Sequence, residues 1–315
     1  MKQVLLLFFL SFLCTGIYCQ KIKIKDSVFL KELRRIIPNS IDRDGLLDST
    51  SGELLNIEVI RIYDKKITSI EEVRYFLGLK ELIIKGGNLD SIFNLPNGLV
   101  NLTIENSSLK YLDYFPESLR FLYLSNNKLS KTPEIPINAT VFDVAYNNIF
   151  SVGKLPSTLL FLDIRNTEIT EIKKLPDSLL SFLCSRSKIK KIPNLPITLE
   201  AFHCSELGIR SLPNLPKALA FLDCSYNKIA ILPNLPTTLK ELHCSNNNLT
   251  ALPKLGEALG FINCEFNFIK IIPKLGNKVW SFRGGNNCYT KYVENEIGDG
   301  KQIVFRPNRE DCRLK

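Results

Sequence analysis

The feature that most constrains this 315-residue chain is a repeat that brings the same residue types back at every twentieth position. Proline marks it eight times, and glycine then takes the same place at Gly256 and Gly276. The marking prolines are Pro96, Pro116, Pro136, Pro156, Pro176, Pro196, Pro216 and Pro236. Leucine, cysteine and asparagine hold fixed places in the same frame, as at Leu219, Leu222, Cys224 and Asn227. The frame continues without insertion over residues 99–275, which indicates stacked coils that share one core.

Each coil is predicted to contain a short β-strand, because apolar and polar residues alternate there. Asparagines then turn the chain, and their amides can bond backbone groups that the turn leaves unpaired. These asparagines are Asn127, Asn147, Asn227, Asn247 and Asn267. The prolines favour an extended return segment with no room for a helix. The predicted fold is a β-rich solenoid: a curved right-handed leucine-rich-repeat horseshoe with a parallel β-sheet on its concave face and a cap at each end.

The Leu-Pro-x-Leu-Pro-x-x-Leu pattern, as in 232–239, resembles the repeats of bacterial leucine-rich-repeat proteins, including secreted pathogen effectors. The resemblance covers roughly residues 55–285 and implies adhesion or host interaction. Effectors of this kind that are ubiquitin ligases carry a large catalytic domain after the repeats. Only the short segment 286–315 follows Gly285 here, so ligase activity is not implied.

The segments around the repeats have predicted roles of their own. Residues 1–19 have one lysine and a short apolar run, which is typical of a secretory signal peptide and too short for a transmembrane helix. Residues 20–54 are predicted to form an N-terminal cap with an amphipathic helix over 26–37. Repeats occupy 55–285. Residues 286–315 are predicted to form a C-terminal cap with one strand at Gln302–Phe305.

An Asp-rich stretch follows the predicted helix and has two interpretations. It resembles the loop that precedes the repeats in many exported bacterial leucine-rich-repeat proteins, and also the start of an EF-hand. An EF-hand requires five or more oxygen ligands and an acid at its twelfth position, which is Ser51 here. Asp42 and Asp44 are therefore weak candidates for calcium, and a tight polar turn is the alternative. No other metal site and no cofactor is predicted.

The nine cysteines fall into three groups. Cys14 and Cys19 lie in the signal segment. Five others recur once per repeat in an inward place, and they are predicted to be free core thiols: Cys184, Cys204, Cys224, Cys244 and Cys264. Cys288 and Cys312 lie outside the repeats of a chain predicted to be exported. We expect a disulfide between them.

The composition disfavours several classes of function. The formal net charge of +9 is spread along the chain, which indicates solubility and a mild preference for anionic partners, but no nucleic-acid groove. Two histidines, one methionine and one tryptophan leave few groups for acid–base or metal chemistry. The chain is therefore predicted not to be an enzyme.

The outward strand positions are the predicted binding surface, because the repeats align them in columns. Aromatic residues there cannot be explained by core packing, and acids and small hydroxyls accompany them. The candidate contact residues are Phe121, Tyr123, Asp143, Phe161, Asp163, His203, Phe221, Asp223, His243, Phe261 and Asn263.

Both histidines of the chain share one column with Asp223 between them. The carboxylate is expected to favour their protonated forms. Three interpretations stay open: a hydrogen-bonded surface ladder, a pH-sensitive contact patch, and a zinc site, for which the outer pair is too far apart without a bent geometry.

The sequence thus predicts an exported, secreted or cell-surface module without catalysis that binds a protein or glycoprotein through its concave face. One alternative is a carbohydrate-binding surface that uses Phe121, Tyr123, Phe161 and the acids. The other is a repeat-containing effector enzyme, whose chemistry would have to lie in residues 286–315. The partner and the oligomeric state are not predicted.

Overall fold

The structure is a computed structural model that describes residues 20–289, 302–304 and 312. The predicted signal peptide and most of the predicted C-terminal cap lie outside these residues. In the part of the chain that is described, no helix is both long enough and apolar enough to cross a membrane.

The N-terminal end forms the expected helix beside a small two-stranded antiparallel sheet. Strand β1 (Lys21–Lys23) pairs antiparallel with β2 (Leu46–Asp48), and helix α1 (Ser27–Ile36) lies between them in sequence. An Asp26 carboxylate oxygen accepts from the backbone N–H groups of Val28 and Phe29, both at 2.8 Å, so Asp26 is the N-cap. Phe29 and Leu33 are buried. Short 3₁₀ helices cover Pro38–Ser40, Gly52–Asn56 and Glu71–Tyr75.

The Asp-rich stretch is a hydrogen-bonded turn. The Asp42 carboxylate accepts from Lys21 Nζ at 2.7 Å and from the backbone N–H of Leu46 at 2.9 Å. The hydrogen bond from Lys21 lowers the pKa of Asp42. Gly45, at φ +80°, occupies the left-handed region that residues with a side chain disfavour. Within residues 20–289, no three His, Cys, Asp or Glu residues are grouped so that they could hold a metal ion, and this applies to Asp42 and Asp44 as well.

Fifteen further short strands follow, one or two in each coil. They are β3 Val59–Ile62, β4 Glu81–Lys85, β5 Ser91–Ile92, β6 Asn101–Glu105, β7 Tyr111–Leu112, β8 Phe121–Tyr123, β9 Val141–Asp143, β10 Phe161–Asp163, β11 Ser181–Leu183, β12 Ala201–His203, β13 Phe221–Asp223, β14 Glu241–His243, β15 Phe261–Asn263, β16 Ser281–Arg283 and β17 Gln302–Val304. Strands β5 and β7 pair with each other, and the rest form one parallel 13-stranded sheet in chain order. The predicted strand near residue 302 is confirmed for Gln302–Val304, while Phe305 lies outside the described residues.

The register of the sheet confirms the predicted solenoid. From β6 onward to β16, each strand residue lies beside its equivalent one repeat later, as for Leu162 and Phe182. Between β3 and β4 the offset is longer by two positions, so Ile60 lies beside Leu82. The middle residue of each of the strands β8–β16 is buried, which makes one continuous core along the stack.

The predicted asparagine turns form a buried column of amides. Asn227 Nδ2 donates to the carbonyls of Cys204 (2.9 Å) and Cys224 (3.0 Å), and its Oδ1 accepts from the N–H of Ile209 at 3.2 Å. The other four predicted asparagines repeat this pattern, and so does Asn287, which the sequence analysis did not single out although it lies in the same register. Each amide thus links neighbouring coils through backbone groups that would otherwise be unpaired inside the core.

The cysteines are where the sequence predicts them. The five in-register thiols are free and buried. Burial raises the pKa of each of them, for Cys264 to about 12, so they are protonated and unreactive at neutral pH. Cys288 and Cys312 form the predicted disulfide, with their Cα atoms 5.4 Å apart.

Candidate functional site

The solvent-facing side of strands β8–β16 is called the sheet face here. In each of these strands the middle residue points into the core, and the residues on either side of it face outward. The predicted contact residues occupy those outward places, and pairing brings them into columns. The column that contains both histidines is Tyr123, Asp143, Asp163, Leu183, His203, Asp223, His243 and Asn263. The structure therefore brings residues from distant parts of the chain onto one surface.

The N-terminal part of the sheet face contains a closed ion pair. Arg165 Nη2 lies 2.6 Å from Asp163 Oδ2, and Arg165 Nε lies 3.0 Å from each carboxylate oxygen. Asp163 retains only 1% of its accessible surface. The sequence analysis named Asp163 as a contact residue, but the fold uses its carboxylate to hold Arg165, and a partner would meet the guanidinium instead.

Asp143 lies directly beside Asp163 in the sheet. Burial, together with the negative charges of Asp163 and Glu105, raises the pKa of Asp143 to about 6, although the backbone N–H of Ala145 and the charge of Arg165 lower it. Asp143 is therefore partly protonated near pH 6, whereas an exposed aspartate would be fully ionised.

The C-terminal part of the sheet face holds a continuous stack of rings, called the aromatic strip. Its members are His203, Phe221, His243, Phe261 and Trp280. In that order the successive ring centroids are 4.4, 5.3, 4.7 and 5.5 Å apart, and the planes are inclined by 22–46°. The first four rings alternate between the third and the first residues of successive strands, so each ring contacts its neighbours diagonally, and Trp280 stands just before its strand. The distances are those of favourable aromatic pairs.

Trp280 is the member of the strip that the sequence analysis did not assign to the binding surface. It precedes strand β16, and it is 56% exposed. A Cβ atom at Gly260 would lie only 2.7 Å from Trp280 Nε1, so the glycine allows the indole to approach the neighbouring coil. Arg283 lies over the adjacent Phe261 ring, with its guanidinium carbon 5.7 Å from the centroid. A glycine one repeat before a tryptophan is the sequence signal that could have indicated this contact.

His203 differs from the expected imidazolium. Burial lowers the pKa of His203, and this effect exceeds the opposing influence of Asp223, so the expectation was wrong for His203. The Asp223 carboxylate instead accepts from the hydroxyl of Ser225 at 2.6 Å. His243 Nε2 is buried 3.6 Å from Glu241 Oε2, with no hydrogen-bond partner among the described residues. The histidines thus act mainly as rings in the strip.

Comparisons with known proteins agree with this architecture. The sequence profile described as Leucine Rich Repeat matches residues 118–139. Among solved structures, the functional domain of InlJ from Listeria monocytogenes, whose description includes a cysteine ladder, is similar over 89% of this chain and 68% of its own, with 21% identity and a TM-score of 0.73. YopM from Yersinia enterocolitica is similar over 89% of this chain and 72% of its own, with 22% identity and a TM-score of 0.61.

A third similar structure is that of the Toll–Spatzle complex of Drosophila, which covers 81% of this chain and 42% of its own, with 18% identity and a TM-score of 0.58. A search of curated proteins with the sequence finds no match. The chain therefore has the leucine-rich-repeat fold, with the short repeat that its strand spacing shows, and the predicted resemblance to bacterial leucine-rich-repeat proteins is confirmed.

Proposed function

We propose that this chain is an exported leucine-rich-repeat module that binds a protein or glycoprotein through its sheet face, as the concave side of the horseshoe, in adhesion or host interaction. The observation that carries the proposal is the aromatic strip. Five rings run across five successive coils on the outside of the sheet, where they contribute nothing to the core that the inward residues already fill. Aromatic residues grouped on a rigid surface are typical of binding hot spots.

The arrangement of the rings favours a protein over a carbohydrate. Sugars bind to aromatic side chains by lying against an open ring face. In the strip, neighbouring rings lie against each other's faces, which leaves less open face for a sugar. The rings and the small hydroxyls of the adjoining places suit side chains of a protein partner. The carbohydrate alternative depends instead on Phe121, Tyr123, Phe161 and the acids, and these three rings lie outside the strip.

Two features support export. Residues 1–19 have the pattern of a signal peptide, and the disulfide between Cys288 and Cys312 suits an oxidising compartment. We therefore place the mature protein outside the cell or at its surface, starting near Gln20, with 20–54 and 286–315 as caps for repeats 55–285. No catalytic step is proposed, because the candidate groups are used as rings, turns and ion pairs.

The test is affinity capture of partners by the purified exported protein, run in parallel with a glycan array. The variant Phe221→Ala/Asp223→Lys alters the strip and its adjoining acid, and it avoids Asp163, whose replacement would disturb the fold. Ile231→Ala/Glu257→Lys is the matched control, since both residues are exposed on the return segments. We expect the first variant to lose nearly all of the captured partner and the control to retain it.

Equal capture by both variants would place the binding site away from the sheet face. Glycan-array signals that persist in Phe221→Ala/Asp223→Lys and disappear in Phe121→Ala/Phe161→Ala, without a captured protein, would support the carbohydrate alternative instead.

A further inference from the structure

In each coil, one residue on the turn after the outward strand places has a backbone conformation that most residues with a side chain rarely adopt. Ten non-glycine residues, one per repeat from Asn106 to Asn286, have φ between 51° and 58°. Five of the ten are asparagine, which adopts this left-handed region readily. The other five are Tyr146, Arg186, Glu206, Tyr226 and Phe266, for which the conformation is strained.

Two of these five have a visible partner, since Arg186 and Glu206 form an ion pair at 2.6 Å across neighbouring coils. The other three are aromatic and exposed: Tyr146 by 45%, Tyr226 by 57% and Phe266 by 43%. A large apolar side chain that is exposed, at a place where asparagine would be less strained, does not serve the stability of the fold. Such outliers persist most often where the site has a function.

Tyr226 and Phe266 lie on the turns of two of the coils that carry the aromatic strip. Each follows a strip member, Phe221 or Phe261, at the end of the same coil's outward segment. Their positions are fixed by the backbone, because Tyr226 N donates to the Ser245 carbonyl at 2.9 Å and Phe266 N to that of Gly285 at 3.1 Å. Tyr146 lies in the coil of Asp143, away from the strip.

The charges near the strip indicate the chemistry of the partner. The outward strand places of coils 201–265 contain Asp223, Glu241 and Glu265 and neither lysine nor arginine, and the place just before the strand, where Trp280 lies, adds one exposed acid, Glu200, and one exposed base, Lys240. Arg283 lies one coil further on, against the ring of Phe261. This local excess of carboxylates contrasts with the formal charge of +9 for the whole chain. Complementarity of charge therefore favours a cationic partner surface.

We propose that Tyr226 and Phe266 are partner contacts, and that the occupant of the strip is a protein segment with lysine or arginine beside apolar side chains. This inference rests on the proposed function and specifies both the partner and the rim of the site. Tyr226 and Phe266 would contact the apolar side chains of the segment. The carboxylates of Asp223, Glu241 and Glu265 would pair with its cations.

The experiment uses the full exported protein and a phage-displayed library of random peptides as the probe. We expect the enriched peptides to carry a net positive charge, and their affinity, measured by fluorescence polarisation, to fall at least tenfold between about 50 and about 500 mM salt. Tyr226→Asn and Phe266→Asn should each raise the midpoint temperature of unfolding and lower the affinity for the enriched peptides at least fivefold. Tyr146→Asn is the matched control, which should raise the midpoint and change the affinity less than twofold.

Several outcomes would overturn this inference. The cationic segment is wrong if the enriched peptides are neutral or acidic, or if no peptide is enriched. It is also wrong if a polyanion or a glycan binds in their place. If Tyr226→Asn and Phe266→Asn leave the affinity unchanged while Phe221→Ala/Asp223→Lys abolishes it, the rim contacts are wrong and the sheet-face function stands. If none of these variants changes the affinity, the sheet-face function is wrong as well.

Discussion

The two halves of the sheet face use the same backbone positions for different purposes. In β8–β10, the outward acid Asp163 is buried and holds Arg165, whose guanidinium stays partly exposed. In β12–β16, the outward positions carry stacked rings that remain partly exposed, with carboxylates beside them. The repeat thus fixes where a side chain stands, while the identity of its neighbours one coil away decides whether it stabilises the solenoid or stays available to a partner.

The largest expected difference between the halves is in stability. Arg165→Ala would leave the buried Asp163 carboxylate without its cation, and we expect a loss of about 3 kcal/mol in the free energy of unfolding, the low end for a buried pair, because Arg165 itself is partly exposed. Urea denaturation monitored by circular dichroism measures this. The control is Arg186→Ala, which removes an exposed pair with Glu206 and should cost less than about 1 kcal/mol. Similar losses in the two variants would mean that Asp163 is well solvated.

A smaller effect is expected at Asp143, and it depends on pH. Its pKa of about 6 in the folded state exceeds the ordinary value of 3.8, so the folded state binds the proton more tightly. Protonation of Asp143 therefore stabilises the folded state fully below about pH 4, and this stabilisation is lost as the pH rises through 6. Asp143→Asn should be more stable than the parent at pH 7.5, by about 2 kcal/mol, because it contains no charge to bury.

The difference between Asp143→Asn and the parent should shrink to nearly zero at pH 4, as measured by urea unfolding at both pH values. A constant difference across this range would show that Asp143 titrates as an exposed aspartate does.

The smallest expected effect has the opposite sign and lies in the aromatic strip. The pKa of His203 is lowered in the folded state, so the unfolded chain takes up the proton first and acid weakens the fold below the ordinary value of 6.5. His203→Phe keeps a ring against Phe221 and removes the titration. We expect the variant to lose less stability than the parent between pH 7.5 and pH 5, in thermal unfolding. An equal loss in both proteins would indicate that His203 is freely protonated.

The fold was predictable from the sequence because its determinants recur. The inward cysteines, the turn asparagines and the strand spacing each follow from a place in the repeating frame, and even Asn287 could have been found in this way. The helix was predictable from Asp26 and the apolar positions after it. The prediction that outward residues align in columns was correct for the same reason.

The chemistry of the site was less predictable, because it depends on contacts between coils. Nothing in the frame shows that Arg165 folds back over Asp163 or that burial exceeds the influence of Asp223 on His203. The strip crosses two columns diagonally, and its last ring depends on the space left by Gly260. Side-chain packing between neighbours decided these features.

The asparagine column has a gap with a mechanical consequence. Asn147 and Asn227 are separated by three coils in which the same place holds Thr167, Ser187 and Leu207. The Thr167 hydroxyl donates to the Ile164 carbonyl at 2.7 Å, and the buried Ser187 hydroxyl has no partner among the described residues. These coils therefore lack the amide cross-links of the coils on either side, and we expect unfolding to lose its cooperativity there, with the aromatic strip almost wholly on the C-terminal side.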